Sequence, residues 1–552
     1  MNVVAALANG VTRLGAVPAR VRFWQALRRP DIAQAAILAR ILRGAADSAY
    51  GREHGFASIR SPRQFAARVP LTDYDAIAPR IERIAGGEAC VLTGAAVRFL
   101  EPTGGSSGKS KLVPYTAPLL AEFSAATMAW LYDLLASRPA LRGGRAYWAI
   151  TPPGPRPART PGGVPIGTEH DSDYFPAPLR ALLRRALAVP GEVARTPDVA
   201  TCRYVTLRAL LAAPDLRLVS VWSPSFLTLL ATELDASFAD LLRDLEDGGV
   251  RASVEPALAA AITRAIPARP RLAGELRRRF GRRPPEDLGA VWEQLALVSC
   301  WADGHAARAL EGVRRRFPRV EVQPKGLLAT EGVVSIPLFG HAHPVAAVTS
   351  HFLEFLPGGD GSRACGVHEL EGGQSYEVVL TTGGGLHRYR LRDVVRVEGF
   401  VARTPMLSFQ GRADRASDLA GEKLTPALVE RVLAAAMRET GVHAPFAMLA
   451  PRAEPAPRYV LYVDAAPEQA DALARAVEAE LLGAHHYALC RALGQLEPVL
   501  GAPVQDGERR YERICTERGQ RAGAIKPPAL EPALDWDRRF STTIRRPTAA
   551  HR

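Results

Sequence analysis

At 552 residues the chain is too long for one hydrophobic core, and two or three domains are expected. With 47% hydrophobic and 23% charged residues it has a globular composition, and it lacks an uninterrupted apolar run of the ~18–20 residues that a membrane helix needs, so no membrane partner is expected. The net charge of +13 raises nucleic-acid binding, but only Lys109, Lys111, Lys325, Lys423 and Lys526 are lysines, and the arginines are spread through helical stretches without interleaved aromatics. That pattern excludes a nucleic-acid groove and leaves a positive field suited to anionic small molecules.

The six cysteines (90, 202, 300, 365, 490 and 515) include no C-x-x-C pair, so neither a zinc site nor a disulfide framework is expected and a cytoplasmic location fits. Residues 1–30 hold five arginines and no acid, without a secretory pattern, and read as a basic amphipathic helix. Residues 30–85 are helical in pattern, punctuated by prolines 62, 70 and 79. "AVRFLEP" (96–102) is a short strand, a glycine- and serine-rich loop follows, and 117–136 has helical apolar spacing. "RAYWAI" (145–150) and "RLVSVWS" (217–223) are buried-strand candidates on either side of a proline-rich loop, and 225–316 reads as mostly helical.

"VEVQPKGLLATEG" (320–332) is a strand entering a loop, and "SYEVVLTTGGGLHRYRLRDVVRVEGF" (375–400) is a strand, a turn of three glycines and a second strand. A domain boundary is expected at "SFQGRADRASDLAGEKL" (408–424), which divides the chain into 1–412 and 413–552. Beyond it come a helix at 426–439, a strand at 458–464 and a helix at 467–483, a small α+β unit. Oligomeric state is not legible.

Four segments carry chemistry. "EPTGGSSGKSKLVPYT" (101–116) imitates a phosphate-binding P-loop, but that signature needs a glycine where Thr103 stands, so the match fails. The hydroxyls of Thr103, Ser106 and Ser107, with Gly108 and Lys111, suit triphosphate oxygens all the same; the alternative is a polar turn. Glu331, in "ATEG", is a magnesium ligand candidate or an ordinary strand-end glutamate. Asp393 ends a strand after the glycine turn, where its carboxylate could accept from both ribose hydroxyls or pair with a neighbouring arginine. Arg412, Gly421 and Lys423 sit in "GRADRASDLAGEKL", an interdomain linker or the edge of a nucleotide site.

Together these segments resemble the acyl-adenylate-forming superfamily, and within it the Gretchen Hagen auxin-responsive family of acyl-acid amido synthetases. "VVLTTGGGLHRYRLRD" is similar to that family's V-T-T-x-x-G-L-Y-R-Y-R-x-G-D, and "GREHGFASI", "VPLTDYDAIAPRIERIAGGE" and "VLTGAAVRFLEPTGGSSGKSKLVPYT" resemble its N-terminal half. The resemblance implies a large multi-sheet α/β adenylation domain and a smaller mobile α+β C-terminal domain. It implies ATP and Mg2+, a small carboxylic acid activated as its adenylate with release of pyrophosphate, and amide formation with an amine, typically an amino acid, with release of AMP.

By motif position, Ser106, Ser107 and Lys111 fall in the phosphate loop and Thr330 and Glu331 at the AMP and magnesium site. Asp393 falls at ribose, Arg412 just after it, Asp414 near the hinge, and Lys526 ("GQRAGAIKPP") at the late lysine used in adenylation. Departures are Gly104 for a hydroxyl residue, Ser110 for proline, Leu327 for an adenine-stacking aromatic, His387 for tyrosine and Arg392 for glycine. Alternatives are a ligase with coenzyme A or a carrier thiol as acceptor, and a non-catalytic nucleotide- or acyl-binding member. The acyl pocket is expected between helix 117–136, the 217–232 region and the loop near 326–343.

Overall fold

The computed structural model describes residues 2–103, 111–149, 159–167, 184–252, 254–302, 306–357, 363–413, 416–420, 422, 424–454, 456–518, 520 and 525–540. The chain divides into two compact units, residues 1–302 with 313–409, and residues 303–312 with 410–552.

The first unit opens on the helices Val3–Gly15, Val17–Arg28 and Pro30–Ala45. The first is amphipathic, as its spacing predicts, but it is turned about: Ala5, Ala8 and Thr12 face inward while Val3, Leu7 and Leu14 are exposed. Asn9 fixes that orientation, because its side-chain amide donates to the carbonyls of Leu141, Arg142 and Gly144. Only the small-residue face can approach closely enough for those bonds.

Strands β1 (Val97–Thr103) and β2 (Lys111–Thr116) form an antiparallel pair with Thr103 opposite Lys111. Helix Ala117–Ser137 follows directly, started by the Thr116 hydroxyl, which accepts from Leu119 N–H, and by a proline in its first turn. Leu119, Phe123, Ala126 and Ala129 of this helix enter the main core.

A parallel sheet has the order β3 (Arg145–Trp148), β4 (Leu216–Ser220), β5 (Leu297–Cys300), β6 (Glu321–Pro324). The 225–316 stretch is therefore not helical throughout. β5 interrupts it, because "LVSC" is buried at all four positions and so carries no periodicity to distinguish it from a helical segment.

Beyond β6, β7 (Leu328–Ala329) and β8 (Gly332–Val333) make a two-residue hairpin. A seven-stranded sheet then assembles β9 (Ser335–Ile336), β10 (Val345–Ala346), β11 (Phe352–Pro357), β12 (Cys365–Gly366), β13 (Ser375–Thr381), β14 (Tyr389–Val401) and β15 (Thr404–Arg412) in the order β12-β11-β13-β14-β15-β10-β9.

The second unit contains β16 (Ala447–Arg452) and β17 (Arg458–Val463), paired antiparallel, with β18 (Glu497–Pro503) parallel to β17. Helices Pro426–Thr440 and Pro467–Leu481 contribute Val429, Leu433, Leu473 and Val477 to its core.

Candidate active site

The site is drawn from three places in the first unit, two of them tied together by residues 72–74 and the third held by β2. Lys111 begins β2, and its ammonium lies 5.4 Å from the ring centroid of Tyr74. The Tyr74 hydroxyl accepts from Leu112 N–H at 2.9 Å. Tyr74 opens the helix Tyr74–Ala85, capped by Asp73, so the start of β2 is braced on a helix N-terminus. Ser106, Ser107 and Gly108, with Gly104 and Ser110, lie outside the described residues.

On the other side of this segment runs β14. Thr72 N–H donates to the Arg388 carbonyl and Arg390 N–H to the Thr72 carbonyl, a short parallel bridge. Asp393 is not at a strand end, as the sequence reading had it, but is the fifth residue of β14, inside a bulge. Val379 pairs with Arg390 and Glu377 with Val394, so Leu391, Arg392 and Asp393 together stand opposite Val378. Such a bulge re-aims a side chain, and here it leaves Asp393 buried at 7% exposure.

Arg392 makes the kink with φ of 66°. This left-handed conformation is why glycine suits the position and why a larger residue there is strained, by about 1–2 kcal/mol. Its guanidinium reaches Asp73 at 3.4 Å.

The three-glycine turn is crowded: a Cβ on Gly383 would stand 2.7 Å from Pro118, on Gly384 2.7 Å from the Pro114 carbonyl, and on Gly385, at φ +100°, 2.6 Å from Leu92. Glu122 of helix Ala117–Ser137 accepts Gly383 N–H at 2.9 Å and also meets His351 Nδ1 at 2.9 Å and Arg40 at 3.2 Å. His387, where the family has tyrosine, stacks on Tyr50 and is held by the Leu92 carbonyl; burial pushes its pKa down to about 4, so it is neutral packing.

Thr330 and Glu331 form the tip of the β7–β8 hairpin. Glu331 is thus half-buried in a turn rather than at the end of a buried strand. The Tyr115 hydroxyl, on β2, donates to the Thr330 carbonyl at 2.7 Å, and Tyr115 itself stacks between Phe99 and Phe123. β2 therefore carries Lys111 at one end and holds the Glu331 turn four residues later. Among the described residues no cluster of three or more His, Cys, Asp or Glu forms a metal cage. A magnesium ion held largely by substrate phosphates asks for only one or two carboxylates, and Glu331 fits that requirement.

In the second unit, Arg412 ends β15. Lys526 is half-buried and precedes Ala529–Leu530, which joins β16: Leu449 N–H donates to the Ala529 carbonyl at 2.8 Å. Lys423, with Asp414 and Gly421, lies outside the described residues.

A further cluster lies at the carboxyl ends of the parallel strands, where ligands of open α/β sheets bind; two of the segments expected to line the acyl pocket, 117–136 and 217–232, contribute Trp130 and Trp222 to it, but sequence reasoning gave Lys325 no role there. Lys325 follows β6; its ammonium is 2.8 Å from Ser220 Oγ, 4.3 Å from the Trp222 ring centroid and 5.8 Å from that of Trp130. Trp301 lies 5.5 Å from Trp222, and Trp148 lies 6.3 Å from Trp130. The available signal was that one of five lysines and three of seven tryptophans (148, 222 and 301) fall at or beside these strand ends.

Residues 19–322 match the GH3 family N-terminal domain and residues 345–412 the GH3 family central domain. The chain belongs to the GH3 family. Among GH3 relatives, the indole-3-acetic acid-amido synthetase GH3.3 of Arabidopsis thaliana is 24% identical, over 70% of this chain and 68% of its own. The jasmonoyl-L-amino acid synthetase GH3.3 of Oryza sativa subsp. japonica is 28% identical, over 63% of this chain and 80% of its own. A solved structure of the GH3.15 acyl acid amido synthetase in complex with 2,4-DB superposes with a TM-score of 0.83 at 17% identity, covering 96% of both chains. The acyl-adenylate-forming fold expected from the motifs is thus the fold of this GH3 chain.

Proposed function

We propose that this GH3 protein is an ATP-dependent ligase that adenylates a small carboxylic acid and passes the acyl group to an amine, with an amino acid the favoured acceptor. The observation that carries this reading is the grouping of Lys111, Asp393 and the Thr330–Glu331 turn about the Thr72–Tyr74 segment and β2, from positions up to 282 residues apart. Family membership supports it. A carboxylate is a poor electrophile because its leaving group would be oxide; as an acyl-adenylate it loses AMP instead.

Lys111 places a compact cation next in sequence to the glycine- and serine-rich residues 104–110, where phosphate oxygens would gain charge as the acid attacks. Asp393, preset by the bulge, offers a carboxylate to the ribose hydroxyls, and Thr330 and Glu331 face the phosphate end. By motif position Arg412 is assigned to the nucleotide and Lys526 to the adenylation step. Magnesium, when bound, neutralises charge on the phosphates, with Glu331 the residue to hold it. A cytoplasmic setting is part of this proposal and rests on the scattered cysteine spacing of the sequence.

The test is carboxylate-dependent ATP–pyrophosphate exchange across aryl, indolyl, fatty and amino acids. Lys111→Ala and Glu331→Ala are each expected to lower exchange by about 10²–10³-fold, the usual worth of one well-placed electrostatic group. Exchange untouched by either substitution would refute the assignment. Adding amino acids or coenzyme A to an exchanging acid then identifies the acceptor.

A further inference from the structure

Gln323 and Lys325 are two residues apart on an extended segment and so face the same side. Gln323 is 5% exposed; its amide oxygen takes the Trp130 Nε1–H at 3.1 Å and is 3.5 Å from Ser299 Oγ. Indole nitrogen can only donate, so the amide orientation is fixed and the Nε2 donor points elsewhere, where it has no partner among the described residues. Lys325, one step further out, meets a hydroxyl and two indole faces, and no carboxylate pairs with it among the described residues. Loss of water around its ammonium pushes its pKa down to about 7.

Lys325 thus has a neutral hydroxyl but no counter-charge, and Gln323 Nε2 has no acceptor among the described residues, beside walls of tryptophan at the end of the sheet where ligands dock. A half-buried cation without a counter-charge weakens the native state, so the fold itself gains nothing from the charge on Lys325. From Lys325 to Glu331 is six residues, a span of at most about 20 Å. Leu327 between them is anchored, its carbonyl accepting from Val334 N–H at 2.9 Å. A single elongated molecule can therefore reach both places.

We propose that Lys325 and Gln323 form an anion subsite for the far end of the acyl substrate: the acid to be activated carries a planar or aromatic body, seated among Trp130, Trp148, Trp222 and Trp301, and a second anionic group opposite its reacting carboxylate. This rests on the adenylation reading and adds the substrate class to it.

The test uses aryl alkanoic acids of several chain lengths, matched except that the ring ends in a carboxylate, a methyl or an aminomethyl group. Each is assayed by ATP–pyrophosphate exchange and by quenching of tryptophan fluorescence, with the intact protein and with Lys325→Met and Lys325→Glu. No separate acceptor amine is added to the exchange assay, so the carboxylate-over-methyl preference belongs to the acid rather than to the acceptor.

The carboxylate-ended acid is expected to outrun the methyl-ended one by about 10- to 100-fold in kcat/KM, the worth of one charge-assisted hydrogen bond. Lys325→Met erases that ratio and Lys325→Glu turns it towards the aminomethyl acid. Exchange without charge preference, or a preference that both variants keep, overturns the subsite while leaving adenylation standing. Quenching with the Lys325-dependent order but no exchange upholds the subsite and removes adenylation. No Lys325-dependent order in either assay overturns the subsite.

Discussion

Two regions of the first unit draw charge wholly or partly out of water, and they treat it in opposite ways. Around the glycine turn every buried charge discussed here is answered. Arg388 donates from Nε to both carboxylate oxygens of Glu354 at 3.1 Å and from a terminal nitrogen to the carbonyls of Ala66 and Val69. Glu122 collects Arg40, His351 and the Gly383 N–H. At the carboxyl edge of the parallel sheet, Lys325 has a serine and two indoles. A lysine–indole contact contributes about 0.5–2 kcal/mol, less than the several kcal/mol that desolvating an ammonium costs. The first region spends charge on holding a turn in place; the second keeps it unanswered, as a site that awaits a ligand does.

The sharpest way to break this contrast is Glu354→Ala. It leaves the Arg388 guanidinium buried without its carboxylate, and a loss of about 3–5 kcal/mol is expected in urea unfolding. A loss below 1 kcal/mol would mean that the pair is solvated and the contrast false.

Lys325 should behave the other way. Its pKa drops from 10.5 to about 7 on folding, so between those values the unfolded chain binds more protons and stability rises with pH. The cost of the buried cation is fully present below pH 7 and vanishes as pH approaches 10.5. Lys325→Met is therefore expected to raise the Tm at pH 6.5, with the gain shrinking steadily towards pH 10, by calorimetry across that range. A gain that does not change with pH would place the cause in packing rather than charge.

The smallest effect belongs to Arg392→Gly. Relief of the left-handed backbone is worth about 1 kcal/mol, and the partly exposed pair with Asp73 gives back only about 0–1 kcal/mol. A slight net gain in unfolding free energy is expected, against a loss if the Asp73 pair dominates.

Much of this architecture was legible because local signals agreed. A strand, a polar loop and a proline-started helix could be read from 96–136, and the strand–glycines–strand order from 375–400, since composition changes abruptly at each junction. What was missed depended on partners distant in sequence. Periodicity shows that helix Val3–Gly15 has two faces but not which is inside; Asn9 settles that with carbonyls more than 130 residues away. The buried β5 carries no alternation because both its faces are covered. The motif residues Lys111, Glu331 and Asp393 were named by resemblance, but Thr72–Tyr74, which stands between Lys111 and β14, was only part of a matching stretch. Lys325 was counted as rare and given no task, because the missing counter-charge becomes visible only when its neighbours are known.

The bulge in β14 gives the Asp393 carboxylate an origin that residue type alone does not express. Three residues occupy the length of one, so Asp393 stands where it does because the strand is two residues longer than its partner requires. Arginine can replace glycine at 392 at modest cost, whereas deleting Leu391 and Arg392 would restore a regular ladder and carry the aspartate out of place with its own side chain intact. At this point in the chain, spelling is negotiable and spacing is not.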